Sequence, residues 1–137
     1  MTEPAQTPGW TDVALAIPVR AGRILVTQRS GGHLAGCWEF PGGKVEAGED
    51  PAAAARRELR EETALAASEL EHLMLLVHEY AGGPLRFHVF VAREPAGEVR
   101  VDGEREWSWM TYDELRSAKL PPANAPMVRA LRRRLAR

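Results

Sequence analysis

The chain has 137 residues, enough for one domain with a sizeable core and too few for two of ordinary size. Hydrophobic residues make up 45% and charged residues 27%, which excludes wholesale disorder, a collagen-like repeat and a coiled coil. Lys and Arg number 18 against 19 Asp and Glu, a formal charge of -1, so no global field steers the chain to nucleic acid or an anionic membrane, and any attraction for phosphate must be local.

Residues 1–10 read as a flexible lead-in, ordered only around Trp10, and residues 11–137 as a single domain. The lead-in, with Glu3, Pro4 and Pro8, lacks the layout of a signal peptide, and no apolar run approaches the roughly 20 residues that span a bilayer. The single cysteine, Cys37, cannot form an internal disulfide and reads as a packed thiol, so a reducing, cytoplasmic setting is expected.

From Val13 the apolar positions alternate through Leu15, Ile17 and Val19, the period of a strand with one buried face. Arg20-Ala21-Gly22-Arg23 reads as a tight turn into a second strand at Ile24-Leu25-Val26, together a hairpin. Residues 30–36 form a glycine-rich loop, and Trp38 to Phe40 a short apolar piece ending at Pro41-Gly42-Gly43. Asp50-Pro51 is a helix start, with Asp50 as N-cap and Pro51 at the first position. The run from Ala52 to Glu62 consists of strong helix formers. Leu70 to Tyr80 and Leu85 to Ala92 read as strands, residues 94–106 as a long loop with a short strand at Val99–Val101, and Trp107 to Met110 as another strand. Thr111 and Glu114 fit a capping box. After Pro121-Pro122 a last helix from about Pro126 puts Met127, Ala130, Leu131 and Leu135 near one side. The sum is an α/β or α+β sandwich.

Within the 50s helix Glu58, Glu61 and Glu62 are spaced i, i+3 and i+4 and share one face. Like charges there repel, and a late-helix position is the wrong end of the dipole for anions. One reading is a solvated acidic face, partly neutralised by Arg57 and Arg60. The other is a hard-cation site: Mg²⁺ binds through a few carboxylates and keeps positions for water and substrate phosphates. Gly42 and Gly43 let backbone approach such a centre closely.

Gly43 through Leu65 resembles the Nudix box, whose pattern runs Gly, five residues, Glu, seven residues, Arg-Glu, an aliphatic, one residue, Glu-Glu, one residue, Gly, an aliphatic. Gly43, Glu49, Arg57, Glu58, Leu59, Glu61, Glu62 and Leu65 match. Ala64 stands where the pattern has Gly, a change accommodated if its φ is negative. Outside the box, Trp38-Glu39-Phe40-Pro41-Gly42-Gly43-Lys44 and Leu120-Pro121-Pro122-Ala123-Asn124 resemble segments of the MutT-type branch, the 8-oxo-dGTP diphosphatases. The resemblance implies an α/β/α sandwich with a mixed central sheet. It also implies a Mg²⁺-dependent enzyme, with Mn²⁺ an alternative, that splits a nucleoside triphosphate into monophosphate and pyrophosphate.

Carried over residue by residue, Glu58, Glu61 and Glu62 with the Gly42 carbonyl would hold the cation. Glu49 would support the ligands from outside. Arg57 would pair with Glu49 to hold the ligand helix, or contact phosphate directly. Lys44 would clamp phosphate, or be a solvated loop lysine. For the base that accepts the water proton the family spacing falls on Gly103, with Glu104 next to it and Asp102 and Glu106 flanking; Glu104 is the choice. Asn124 can offer a donor and an acceptor to a purine edge, or cap the last helix. Phe40 would contact the base or belong to the core, and Arg29 would contact base or sugar. Trp10, Trp107 and Trp109 read as core or rim residues. His33, His72, His78 and His88 show no metal spacing and read as structural. The arginines at 129, 132, 133, 134 and 137 suit a helix C-terminus rather than a nucleic-acid patch. The expected partner is a nucleotide, with no nucleic-acid polymer and no membrane, and the expected state a monomer or homodimer. The alternatives are another Nudix specificity, for a cytidine nucleotide or ADP-ribose, and a Nudix-fold sensor that binds nucleotide without turnover.

Overall fold

The computed structural model describes residues 9–29, 35–80, 82–103 and 105–136. The expected lead-in therefore lies outside the described residues except for Gly9 and Trp10; so do His33 and Glu104. The described residues form a seven-stranded mixed sheet. Strand β1 is Thr11–Arg20, β2 Arg23–Gln28, β3 Trp38–Glu39, β4 Gly42–Lys44, β5 Glu71–Tyr80, β6 Gly83–Arg93 and β7 Trp107–Met110. The helices are α1 Pro51–Thr63, α2 Tyr112–Ser117 and α3 Ala125–Leu135, with a 3-10 turn at Pro122–Asn124. The order β3-β2-β1-β6-β5 makes β1 central, parallel to β6 and antiparallel to β2.

Both faces of β1 are buried, where alternation alone implied one. Leu15, Ile17 and Val19 pack with Leu115, Met127 and Leu131 under α2 and α3. Ala14 and Ala16 pack with Ala54, Ala55 and Leu59 of α1. Alanine reads as neutral in a periodicity pattern, yet here small side chains on both elements let α1 lie close on the sheet. The arrangement is the three-layer sandwich expected.

The sheet opens where the site will form. β2 pairs with β1 only at the hairpin, Val19 with Ile24 and Arg20 with Arg23, and then diverges to β3 and β7. β4 takes its place beside Val13–Leu15, joined by the Ala16 N–H to the Pro41 carbonyl at 2.9 Å. A strand made of Gly-Gly-Lys carries no propensity signal, and it was not expected; its pairing with β1 creates it. The strand expected at Val99–Val101 does not form. The only β pairing described in that stretch is a bridge between Ala96 and Ala66, and Val99 packs on the α1 layer.

Helix α1 starts as expected, with the Asp50 carboxylate accepting from the N–H groups of Ala52 and Ala53. Its end differs: Ala64 adopts φ 66, so the condition that a non-glycine there keep a negative φ is not met. The helix ends in a left-handed residue whose N–H reaches the Arg60 carbonyl, a position glycine fills without steric conflict. Ala64→Gly is expected to stabilise the protein by about 0.5–1 kcal/mol. A melting temperature unchanged or lowered by that substitution would contradict the strain.

Candidate active site

The close seating of α1 brings its carboxylates onto the Gly42-Gly43 turn. A Cβ built on Gly43 would lie 2.4 Å from Glu58 Oε2, so any side chain there would displace the carboxylate. Glu62 Oε1 accepts from the Gly42 N–H at 3.4 Å. Glu62 is partly buried against Glu58, and its carboxyl is pushed up to about 8; burial is the largest cause, followed by the hydrogen bond and the like charge of Glu58. Two carboxyls held together away from water keep a proton unless a cation replaces it.

Arg57 organises the outer side. Its Nε and Nη2 donate to the two Glu49 oxygens at 2.9 and 3.0 Å, so the pair is bidentate. Nη1 donates to Glu58 Oε2 at 3.1 Å and to Glu61 Oε1 at 3.4 Å, and Nη2 also reaches the Lys44 carbonyl. The guanidinium thus ties the box loop to the helix and holds the Glu49 carboxyl below its usual range. All of its nitrogens are engaged in this arrangement. The structure brings Glu58 and Glu62 together over Gly42; Glu61 turns to Arg57 instead. Among the described residues no three His, Cys, Asp or Glu side chains form a ready metal cage. The Glu58–Glu62 pair still fits Mg²⁺, which takes one or two carboxylates and completes its shell with water and substrate oxygens.

On the other face, at the opening between β1 and β2, lies a cavity of about 380 Å³. Val13, Leu15, Phe40, Leu85, Phe87 and Pro121 give it apolar walls; Arg29, Glu39, Gly42 and Asn124 supply polar groups. Gly42 borders both this cavity and the carboxylates. Asn124 occupies the cap position of α3, yet its side chain makes no capping hydrogen bond, so the amide is left to the cavity. Phe40 is buried in the core and also lines the cavity. Arg29 lines the cavity and pairs with Glu39 at 3.1 Å. The Lys44 side chain is exposed. Asp102 and Glu106 are exposed as well, and Glu104 falls outside the described residues.

Two groups escaped the sequence reading. Arg105 stands in the acidic 102–106 loop, where attention went to the acids; it bonds Thr27 Oγ1 and the Gln28 carbonyl and approaches Glu39. Buried Asp12 accepts from Arg86 and contacts His88 at 2.9 Å, which holds its carboxyl below the ordinary range, Arg86 being the main cause. Spacing in sequence gave no sign of it, because the three residues meet only across the parallel β1–β6 pair.

An acidic helix over a glycine turn, next to a mostly apolar cavity with a free amide, describes a class of enzyme that handles charged small molecules through a cation. The comparisons make the class definite. Residues 10–131 match the NUDIX domain. The 8-oxo-dGTP diphosphatase of Haemophilus influenzae is 37% identical over 80% of this chain and 82% of its own length. The CTP pyrophosphohydrolase of Escherichia coli is 33% identical over 87% and 89%. A MutT NUDIX hydrolase crystal structure from Burkholderia pseudomallei superposes with a TM-score of 0.81 at 31% identity, covering 89% of this chain and 98% of that one. The chain belongs to the Nudix family and is a Nudix hydrolase. No helix among the described residues is long and apolar enough to cross a membrane.

Proposed function

We propose that this hydrolase is a Mg²⁺-dependent pyrophosphohydrolase of nucleoside triphosphates, with 8-oxo-dGTP as its substrate. Water adds to phosphorus, pyrophosphate leaves, and the nucleoside monophosphate remains. The observation that carries the reading is the uncapping, cavity-facing amide of Asn124, joined through Gly42 to the Glu58–Glu62 pair. The printed activities of the relatives from Haemophilus influenzae and Escherichia coli support it.

In this reading Glu58 and Glu62 hold the cation, with Gly42 beside them and Glu61 joining once it leaves Arg57. A cation bound there would screen the phosphate charge and acidify a water molecule. Arg57, clamped on Glu49, fixes the helix that carries the carboxylates. Lys44, exposed beside the turn, is free to meet phosphate. Glu104 is assigned as the proton acceptor on its place in the sequence. Phe40 and Arg29 line the base and sugar end. The buried, unpaired Cys37 suits a reducing cytoplasmic setting.

The test is hydrolysis of 8-oxo-dGTP, dGTP, CTP and ADP-ribose at equal concentration, read as pyrophosphate release from the triphosphates and as AMP formation from ADP-ribose. Release is expected with Mg²⁺, highest kcat/KM for 8-oxo-dGTP, and none in excess EDTA. A higher kcat/KM for CTP would move the specificity to cytidine nucleotides. Turnover undiminished by EDTA would remove the cation.

A further inference from the structure

A polyphosphate chain entering between the cavity and α1 would face a site rich in carboxylates, and most of the nearby cations are already engaged. Arg57 has every nitrogen on Glu49, Glu58, Glu61 or the Lys44 carbonyl. Arg29 is paired with Glu39 at 3.1 Å. Arg105 differs from both. Its Nε donates to the Gln28 carbonyl at 3.2 Å and its Nη2 to Thr27 Oγ1 at 2.8 Å. Both acceptors are uncharged, so they hold the guanidinium in place without neutralising it. Thr27 is fully buried and paired on both sides, to Glu39 of β3 and Trp107 of β7, which makes the anchor rigid.

Among the described residues the carboxylate paired with it is Glu39, which lies 3.5 Å from Nη2 and is shared with Arg29. Two guanidinium groups on one carboxylate leave a net positive charge at this corner. Nη1, with two N–H groups, has no partner among the described residues. Glu39 lines the cavity together with Gly42, which places the guanidinium at the cavity rim on the side of the Gly42 turn. We infer that Arg105 is a substrate-binding residue whose free Nη1 donates to phosphate oxygens of the nucleotide, across from Glu58 and Glu62. This rests on the nucleotide reading above. An arginine suits the task because its planar fork stays charged and can engage two phosphate oxygens at once.

The experiment measures binding rather than turnover. An 8-oxo-dGTP analogue with a methylene bridge between the α and β phosphorus atoms is titrated calorimetrically in Mg²⁺, with 8-oxo-deoxyguanosine as the phosphate-free control. Arg105→Gln is expected to weaken the triphosphate analogue about 10–100-fold and leave 8-oxo-deoxyguanosine within about 3-fold. Arg105→Lys, which keeps the charge, should recover most of the triphosphate affinity. In turnover, KM of Arg105→Gln should rise more than kcat falls. Equal loss for both ligands, or no loss for either, would overturn the assignment, because a residue that merely shapes the loop would act on base and phosphate alike. Should Arg105→Gln fail to fold, Arg105→Lys decides by the same comparison: retained triphosphate binding supports the assignment, and loss shared with 8-oxo-deoxyguanosine overturns it. A parent protein that binds neither ligand would overturn the nucleotide reading and this assignment together.

Discussion

Glu62→Gln is expected to lower kcat by about three orders of magnitude, roughly 4 kcal/mol of barrier, while stabilising the metal-free protein at alkaline pH. The loss follows from removing one of the two carboxylates that the Gly42-Gly43 turn brings together. The gain follows from its titration. Folding raises the Glu62 carboxyl from 4.5 to about 8, so between those values the folded protein keeps a proton that the unfolded chain has lost. Stability therefore falls as pH rises through this window, and the deficit is complete only above the folded value. A glutamine imitates the protonated form and escapes it. In EDTA the two proteins should melt together near pH 5, and the variant about 2–5 °C higher at pH 8.5. Adding Mg²⁺ at that pH should raise the parent and leave the variant nearly where it was. Coincident melting curves in EDTA at both pH values would mean that Glu62 is not buried against Glu58, and undiminished kcat would take it out of the ligand set.

The same contrast between what is local and what is assembled explains how much could be read beforehand. Helix α1 was legible to its first residue, because Asp50, Pro51 and the alanine run act within one turn of themselves. The hairpin of β1 and β2 and the Thr111–Glu114 box were legible for the same reason. β4 was not, since Gly-Gly-Lys becomes a strand only by pairing with β1 after β2 has diverged. In the site, the box spacing pointed to the three glutamates and to the Arg57–Glu49 pair. It could not show that Arg57 also draws Glu61 aside, nor that Glu58 and Glu62 share a buried corner, because both depend on how far α1 sinks onto the sheet. Arg105 was hidden by its neighbours: in a loop read for a proton acceptor, a lone arginine looks like a counter-charge. Its anchors, Thr27 and Gln28, are far away in sequence. Ala64 shows the reverse case, a mismatch visible in the sequence whose conformation only the structure supplies.

Asn124→Ala should separate an oxidised purine from a normal one. Guanine presents two acceptors, O6 and N7, on the edge that lies in the major groove of DNA. Oxidation at C8 turns N7 into an N–H donor, so the edge becomes acceptor beside donor. A side-chain amide is the complement of that pair, with Nδ2–H given to O6 and Oδ1 receiving N7–H. Against normal dGTP the same Oδ1 would face a lone pair, and a polar group enclosed in a mostly apolar cavity without its partner is costly. Truncation is therefore expected to lower kcat/KM for 8-oxo-dGTP about 100-fold, near 3 kcal/mol, and for dGTP less than about 10-fold. A helix-capping role would instead reduce stability by about 1 kcal/mol and affect both nucleotides equally. The structure already weighs against capping, because the Asn124 amide makes no bond to the start of α3, so the melting temperature should hardly move. Both substrates and the melting curve, measured on this one variant, decide the matter: equal losses for 8-oxo-dGTP and dGTP would leave the cavity without the means to recognise oxidation and would withdraw 8-oxo-dGTP as the substrate.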